Sequence, residues 1–241
     1  MIRKFLLSLM IICLIGLPIR AQQKLQQKYQ HWYTYFGNFK LSDRWSIPFD
    51  VQVRIRDGFT DKGQILTRGG LQYAANKRNS FLLGYAYVTT YADVPDVYLP
   101  EHRIFQQYIY QHPAGKASMS HRFRLEQRWV AQQTSRPGAP TERDWQYGNR
   151  VRYFHRTIIP VQKHTQSTKF YVALQNEIFL NLWNNQINDK FIDQNRLLLT
   201  PGYLLNAALK LEIGYMNQFL QTAAGSQTMN HILHFAVFHN F

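Results

Sequence analysis

Beyond residue 21 the chain alternates apolar and polar side chains at every second position, in segments of about ten to fourteen residues separated by Gly, Pro, Asn or Asp. The clearest segment runs from Trp45 to Arg56. Trp45, Ile47, Phe49, Val51, Val53 and Ile55 share one face, and Asp50, Gln52, Arg54 and Arg56 share the other. Successive side chains of a strand point to opposite faces, so this is a strand with one greasy face and one charged face. Phe123, Leu125 and Trp129 likewise oppose Arg122, Arg124, Glu126 and Arg128, and Val151 and Tyr153 oppose Arg150, Arg152 and Arg156. Similar alternation surrounds Phe81–Tyr91, Phe170–Leu180, Leu209–Phe219 and Leu233–Phe241, and weaker alternation marks 30–40, 64–74, 101–111 and 192–203.

These segments are about twice as long as the strands of a soluble sandwich and match the nine to eleven tilted residues that cross a bilayer. Successive arginines on one face cannot form a dry core, because an unpaired buried charge is prohibitively costly. They suit the interior of a barrel whose apolar positions face lipid. The connections also alternate, short at 41–43, 76–79, 113–117 and 204–206, longer at 57–63, 92–100, 131–143 and 181–191, with 163–167 intermediate. Outer-membrane barrels pair short periplasmic turns with long outer loops. The fold expected is therefore all-β, an antiparallel transmembrane β-barrel of about 10–12 strands. Eleven segments fit the pattern, whereas single-chain barrels carry even numbers. Either a further crossing segment precedes residue 30, where 22–29 are short and polar, or a weak segment, first of all 192–203, is not a strand.

The first residues set the compartment. Arg3 and Lys4 precede an apolar run from Phe5 to Leu17, broken only by Ser8 and followed by Ala21. This order reads as a secretory signal, residues 1–21, cleaved after Ala21, with 22–241 as a single barrel domain. The run is too short to span a bilayer as a helix, which takes about 20 residues. Cys13, the only cysteine, falls inside the signal, so the exported chain holds no disulfide or thiolate metal site. Losing Arg3, Lys4 and Arg20 takes the formal charge from +14 to +11. A basic chain suits anionic lipid, acidic glycan or nucleic acid, and export argues against nucleic acid.

Several short stretches carry a family resemblance. They are His31-Trp32, Leu41-Ser42-Asp43-Arg44-Trp45, Val51-Gln52-Val53-Arg54, His121-Arg122-Phe123-Arg124-Leu125-Glu126-Gln127-Arg128, Asn176-Glu177 and Gln194-Asn195-Arg196. Together, over nearly all of the exported chain, they resemble the Gram-negative family catalogued as domain of unknown function 2490. The resemblance implies an outer-membrane barrel and supplies no activity.

The candidate site is a lumen-facing charged network of Arg54, Arg56, Arg122, Arg124, Glu126, Arg128, Arg150, Arg152, Arg156, Glu177, Arg196 and Glu212. Arginine forks carboxylates and keeps its charge at any physiological pH. Such a network either plugs a narrow barrel with salt bridges or gives a lumen that favours small anions. About ten strands leave a small interior, and wide aqueous pores appear nearer sixteen. His231 and His234 lie three apart, on opposite faces of a strand, and so form no local ligand pair. His121 and His155 fall in the apolar register and suit an interface belt. A lipid hydrolase is the enzymatic alternative, with Ser118, Ser120 and His121 as its nearest candidates. No Gly-x-Ser-x-Gly motif supports it, so an enzymatic role is the lesser reading. A soluble secreted barrel binding an acidic ligand is the other alternative. No cofactor is expected.

Trp32, Tyr33, Tyr35, Trp45, Tyr91, Tyr108, Tyr110, Trp129, Trp145, Tyr147 and Trp183 suit an aromatic girdle at the lipid headgroups. The partners expected are outer-membrane lipid and lipopolysaccharide, and the barrel-assembly machinery, met through the aromatic end of the last strand at Phe241.

Overall fold

The structure, a computed structural model, describes residues 25–56, 61–92, 97–133, 143–161, 169–183 and 185–241. The expected signal at 1–21 lies outside them. Eleven strands are present among the described residues: β1 (Gln26–Lys40), β2 (Trp45–Arg56), β3 (Asp61–Ala74), β4 (Asn79–Tyr91), β5 (Tyr98–Ala114), β6 (Ala117–Gln133), β7 (Arg143–Pro160), β8 (Phe170–Leu182), β9 (Ile192–Leu204), β10 (Leu209–Gln221) and β11 (Gln227–Asn240). They form one closed barrel in which every strand is bonded to its neighbours in sequence.

The barrel's closing seam departs from the expected antiparallel pattern. Strands consecutive in sequence pair antiparallel throughout, but β1 pairs with β11 in parallel, from Gln26 opposite Thr228 to Asn38 opposite Asn240. The reason is parity. In an up-and-down meander of odd strand number, the first and last strands run the same way. The ring then closes only through a parallel ladder. Neither remedy for the odd count holds: 192–203 is a strand, and the polar residues Gln26 and Gln27 are the start of β1, which also takes in Lys28 and Tyr29. Parallel ladders are slightly weaker per residue. Ring stacking reinforces this one, with Tyr33 on Phe235 at 5.1 Å, Phe36 on Phe238 at 4.6 Å and Phe39 on Phe241 at 4.4 Å.

The outer wall is greasy. Ile47, Val51 and Val53 of β2, Phe81, Leu83 and Tyr85 of β4, Leu197 and Leu199 of β9 and Leu211, Ile213 and Tyr215 of β10 are all exposed. Between them point buried inward groups such as Asp50, Gln52, Arg124, Glu126, Arg150, Arg152 and Glu212. The interior is not uniformly polar. Trp32, Leu198, Met216 and Ile232 make one buried apolar cluster, and Leu82, Ala86 and Phe105 make another. Trp32, expected in the aromatic girdle, instead points inward and is 2% exposed. Its neighbours in sequence, Tyr33 and Phe36, are aromatic too, so local alternation around it does not mark which face is inner.

One rim of the barrel carries the turns 41–44, 75–78, 115–116 and 205–208, and the ends of β7 and β11. The turn 115–116 is tightest, and Gly115 takes the left-handed conformation it needs (φ 61°), where a side chain would be strained. The opposite rim carries the ends of β2, β4, β6, β8 and β10 and the start of β1.

Candidate functional site

The interior charges form connected groups, some between adjacent strands and others reaching across the lumen, as Arg122 of β6 does to Glu177 of β8 and Arg156 of β7 to Glu212 of β10. On β5 and β6, Glu101 accepts from Arg103 Nε at 2.7 Å and from Arg128 Nε at 2.5 Å. On β6 to β9, Arg150 donates to Glu126 at 2.7 Å, and Arg152 bridges two carboxylates, donating to Glu126 and to Glu177 at 2.6 Å each. Glu177 also accepts from Arg122 at 2.7 Å and has Arg196 at 3.6 Å. Arg124 lies 3.6 Å from Glu126 and donates to Gln107 at 2.6 Å. Toward the rim with the short turns, Arg156 donates to Glu212, which also accepts the Tyr171 hydroxyl at 2.6 Å. Register sets the neighbouring-strand pairs: Glu126 faces Arg150 across β6 and β7, and Glu177 faces Arg196 across β8 and β9.

Arg54 differs from the rest. It donates to Gln52 at 2.7 Å and to Gln64 at 2.6 Å, and no ion pair reaches it among the described residues. Its guanidinium lies over Trp32, which Arg196 also covers. Arg56 sits nearer the β2–β3 rim and donates to the Lys62 carbonyl at 3.1 Å.

Two cavities share these walls. One, of about 740 Å³, opens toward the 115–116 turn. The other, of about 390 Å³, opens toward the opposite rim. Trp32, Arg54, Arg68, Arg152 and Arg196 line both, so they form the neck between the two.

Three participants escaped sequence reasoning. Arg68 pairs with Asp50 at 2.9 Å across β2 and β3, and Arg103 and Glu101 complete the β5 group. Arg68 stands beside the consecutive glycines Gly69 and Gly70, which blur the alternation. Glu101 and Arg103 did carry a signal, opposite charges two apart on one face of a weakly alternating segment.

The hydrolase candidates do not assemble. Ser118 lines the inner cavity, whereas His121 lies on the outer wall, 2.9 Å from the Tyr153 hydroxyl and 3.4 Å from His155. His234 points inward, 3.1 Å from Thr34 Oγ1, and His231 lies outside against Tyr215.

Among known proteins, the chain is 29% identical to an uncharacterized protein of Methylorubrum extorquens strain AM1, over 99% of each chain. In fold it is similar to the NanC porin, with a TM-score of 0.51 at 10% identity, covering 88% of this chain and 98% of that one. The resemblance carried by the short motifs is borne out: a model of proteins of unknown function, DUF2490, matches residues 29–230, and the chain belongs to that family.

Proposed function

We propose that the chain is an outer-membrane β-barrel, exported by the signal at 1–21, that lets small anions pass through its arginine-rich lumen. A soluble chain rarely leaves contiguous apolar surface larger than a few hundred Å² exposed. Here Leu, Ile, Val, Phe and Tyr cover the outer wall on most strands. Strands of 12 to 18 residues are long enough to cross the hydrocarbon at a tilt. The porin-like fold supports the same reading. With the short turns and the end of β11 placed in the periplasm, Phe241 is presented to the barrel-assembly machinery, and the outer wall meets lipid and lipopolysaccharide.

The observation that carries passage of anions is the imbalance of interior charge. The inward arginines (54, 56, 68, 103, 122, 124, 128, 150, 152, 156 and 196) outnumber the buried carboxylates Asp50, Glu101, Glu126, Glu177, Asp193 and Glu212. At the neck, the hydrogen bonds of Arg54 go to the neutral amides of Gln52 and Gln64, which bring no opposing charge. A fixed ring of one sign favours permeant ions of the other.

The test is the reversal potential of the purified barrel in a planar bilayer under a KCl gradient. The expected sign is that of chloride preference, diminished in Arg54→Gln. Cation preference would contradict the reading. A folded barrel with no conductance would leave the network as a salt-bridged plug.

A further inference from the structure

The two cavities are built from different chemistry. The smaller is walled mainly by Arg, Gln and Glu, whereas the larger sets Phe36, Phe154, Ile158, Met216 and Phe238 inside the barrel, at positions where alternation favours polar groups. These side chains line it from two sides, Phe154 and Ile158 from β7 and Phe36, Phe238 and Met216 from β1, β11 and β10. Phe36 and Phe238 stack nearly parallel, at 13°. Cations lie on two of these rings: the Arg122 guanidinium is 4.2 Å from the Phe154 ring centre, and Arg156 is 5.8 Å from that of Phe238. Lys116 and Lys210 stand toward the rim. Both carboxylates of this cavity are already engaged, Glu177 by Arg122 and Arg152 and Glu212 by Arg156 and Tyr171.

We infer that this cavity is a binding site for amphipathic anions, molecules with an aromatic or branched apolar body and one carboxylate or sulfonate. Its volume of about 740 Å³ lies within the 300–1,000 Å³ of small-molecule sites. Such sites join a mostly apolar wall to a few polar anchors that fix orientation. Here the apolar body lies against Phe154 and Phe238, and the anionic group meets Arg122 and Arg156, whose guanidinium groups lie over those rings. The Arg122 and Arg156 side chains retain 21% and 14% of their exposure, so both reach the cavity while engaged with their carboxylates. A small hydrophilic anion gains only the charge contact, and a neutral aromatic gains only the wall. The inference names the solute class of the proposed lumen and rests on that lumen being accessible. Binding, however, needs no conduction.

The test is isothermal titration of the folded barrel in nanodiscs with 1-naphthoate, set beside acetate and 1-naphthalenemethanol, with empty nanodiscs as blank. One saturable site for 1-naphthoate is expected, at least 10-fold tighter than for either comparison compound. Arg122→Gln and Phe154→Thr are each expected to weaken it at least 10-fold, and Lys62→Gln, exposed at the opposite rim, to leave it unchanged. Lys116→Gln, on a turn, is expected to weaken it 2-fold or more, and it keeps the test available should a wall variant fail to fold. Absence of saturable binding, equal binding of the alcohol, or indifference to Arg122→Gln, Phe154→Thr and Lys116→Gln would overturn the inference. A chloride-selective barrel that binds no 1-naphthoate would overturn this inference alone, and a non-conducting barrel that binds it would overturn only passage.

Discussion

The Arg54 guanidinium carbon lies 3.8 Å from the centre of the Trp32 ring, inside the barrel and at the neck between its two cavities. Each residue accounts for the other's position. An indole supplies a negative face for a cation that has no carboxylate, a contact worth about 0.5–2 kcal/mol depending on desolvation. Arg196 lies 5.0 Å from the centre of the same ring, so one indole serves two like charges. The ring also belongs to the apolar cluster with Leu198, Met216 and Ile232.

Trp32→Ala should therefore do two things at once. It removes a fully buried indole, which costs about 3–5 kcal/mol when the site cannot collapse. It also opens the neck, so single-channel conductance should rise. Urea unfolding and bilayer recording check the two effects separately. A stable variant with unchanged conductance would mean that Trp32 does not set the neck.

The network should respond unequally to its members. Glu126 holds Arg150 and Arg152, and its side chain is 1% exposed. Glu126→Gln takes from Arg150 its carboxylate and leaves Arg152 with Glu177 alone, and breaking a buried pair from one side costs about 3–5 kcal/mol. Arg124→Ala removes a cation whose ion pair is long, at 3.6 Å, and whose main partner is the neutral Gln107. Its cost should be smaller, about 1–2 kcal/mol. Equal shifts of the two unfolding midpoints would argue against this partition.

Close approach makes a different demand at Gly202. A Cβ there would fall 2.2 Å from Tyr171 Cζ, because the Tyr171 ring lies across the glycine to reach Glu212. Gly202→Ala should push the ring off its place, costing about 1–3 kcal/mol by overpacking. Tyr171→Ala in the same background should recover part of that loss. If Gly202→Ala unfolds at the parent midpoint, the contact is looser than described.

On the outer wall, Val53→Arg places a charge on an exposed apolar position of β2. In a bilayer this should cost about 2–4 kcal/mol near the midplane. Folding titrations into lipid vesicles should show it as a lower folded fraction than the parent. A parent-like fraction would contradict a lipid-facing β2.

The outer face of β2 was legible because nothing competes with its pattern: Ile47 to Ile55 are apolar at every second position and the residues between are mostly charged or polar. On β1 the reading failed for a physical reason. Trp32, Tyr33, Tyr35 and Phe36 put aromatics on both faces, and period two then marks a strand without marking its inside. The parallel seam was illegible locally, since it follows from the parity of the whole ring. The site divides in the same way. Arg150 and Arg152 announce themselves two apart, but the pairing of Arg68 with Asp50 depends on the register between β2 and β3. The neck needs Trp32 and Arg196, remote in sequence, to meet.

The central claim is that alternate residues of β2 face hydrocarbon and lumen, and depth-dependent quenching tests it most directly. Cys13 is the only cysteine and lies within residues 1–21, so Val53→Cys and Gln52→Cys in the chain from residue 22 each place one thiol for a fluorescent label. In vesicles of lipid brominated along the acyl chain, the label at position 53 should be strongly quenched. The label at position 52, one residue away and on the other face, should not. Equal quenching at both positions, or none at 53, would contradict the account.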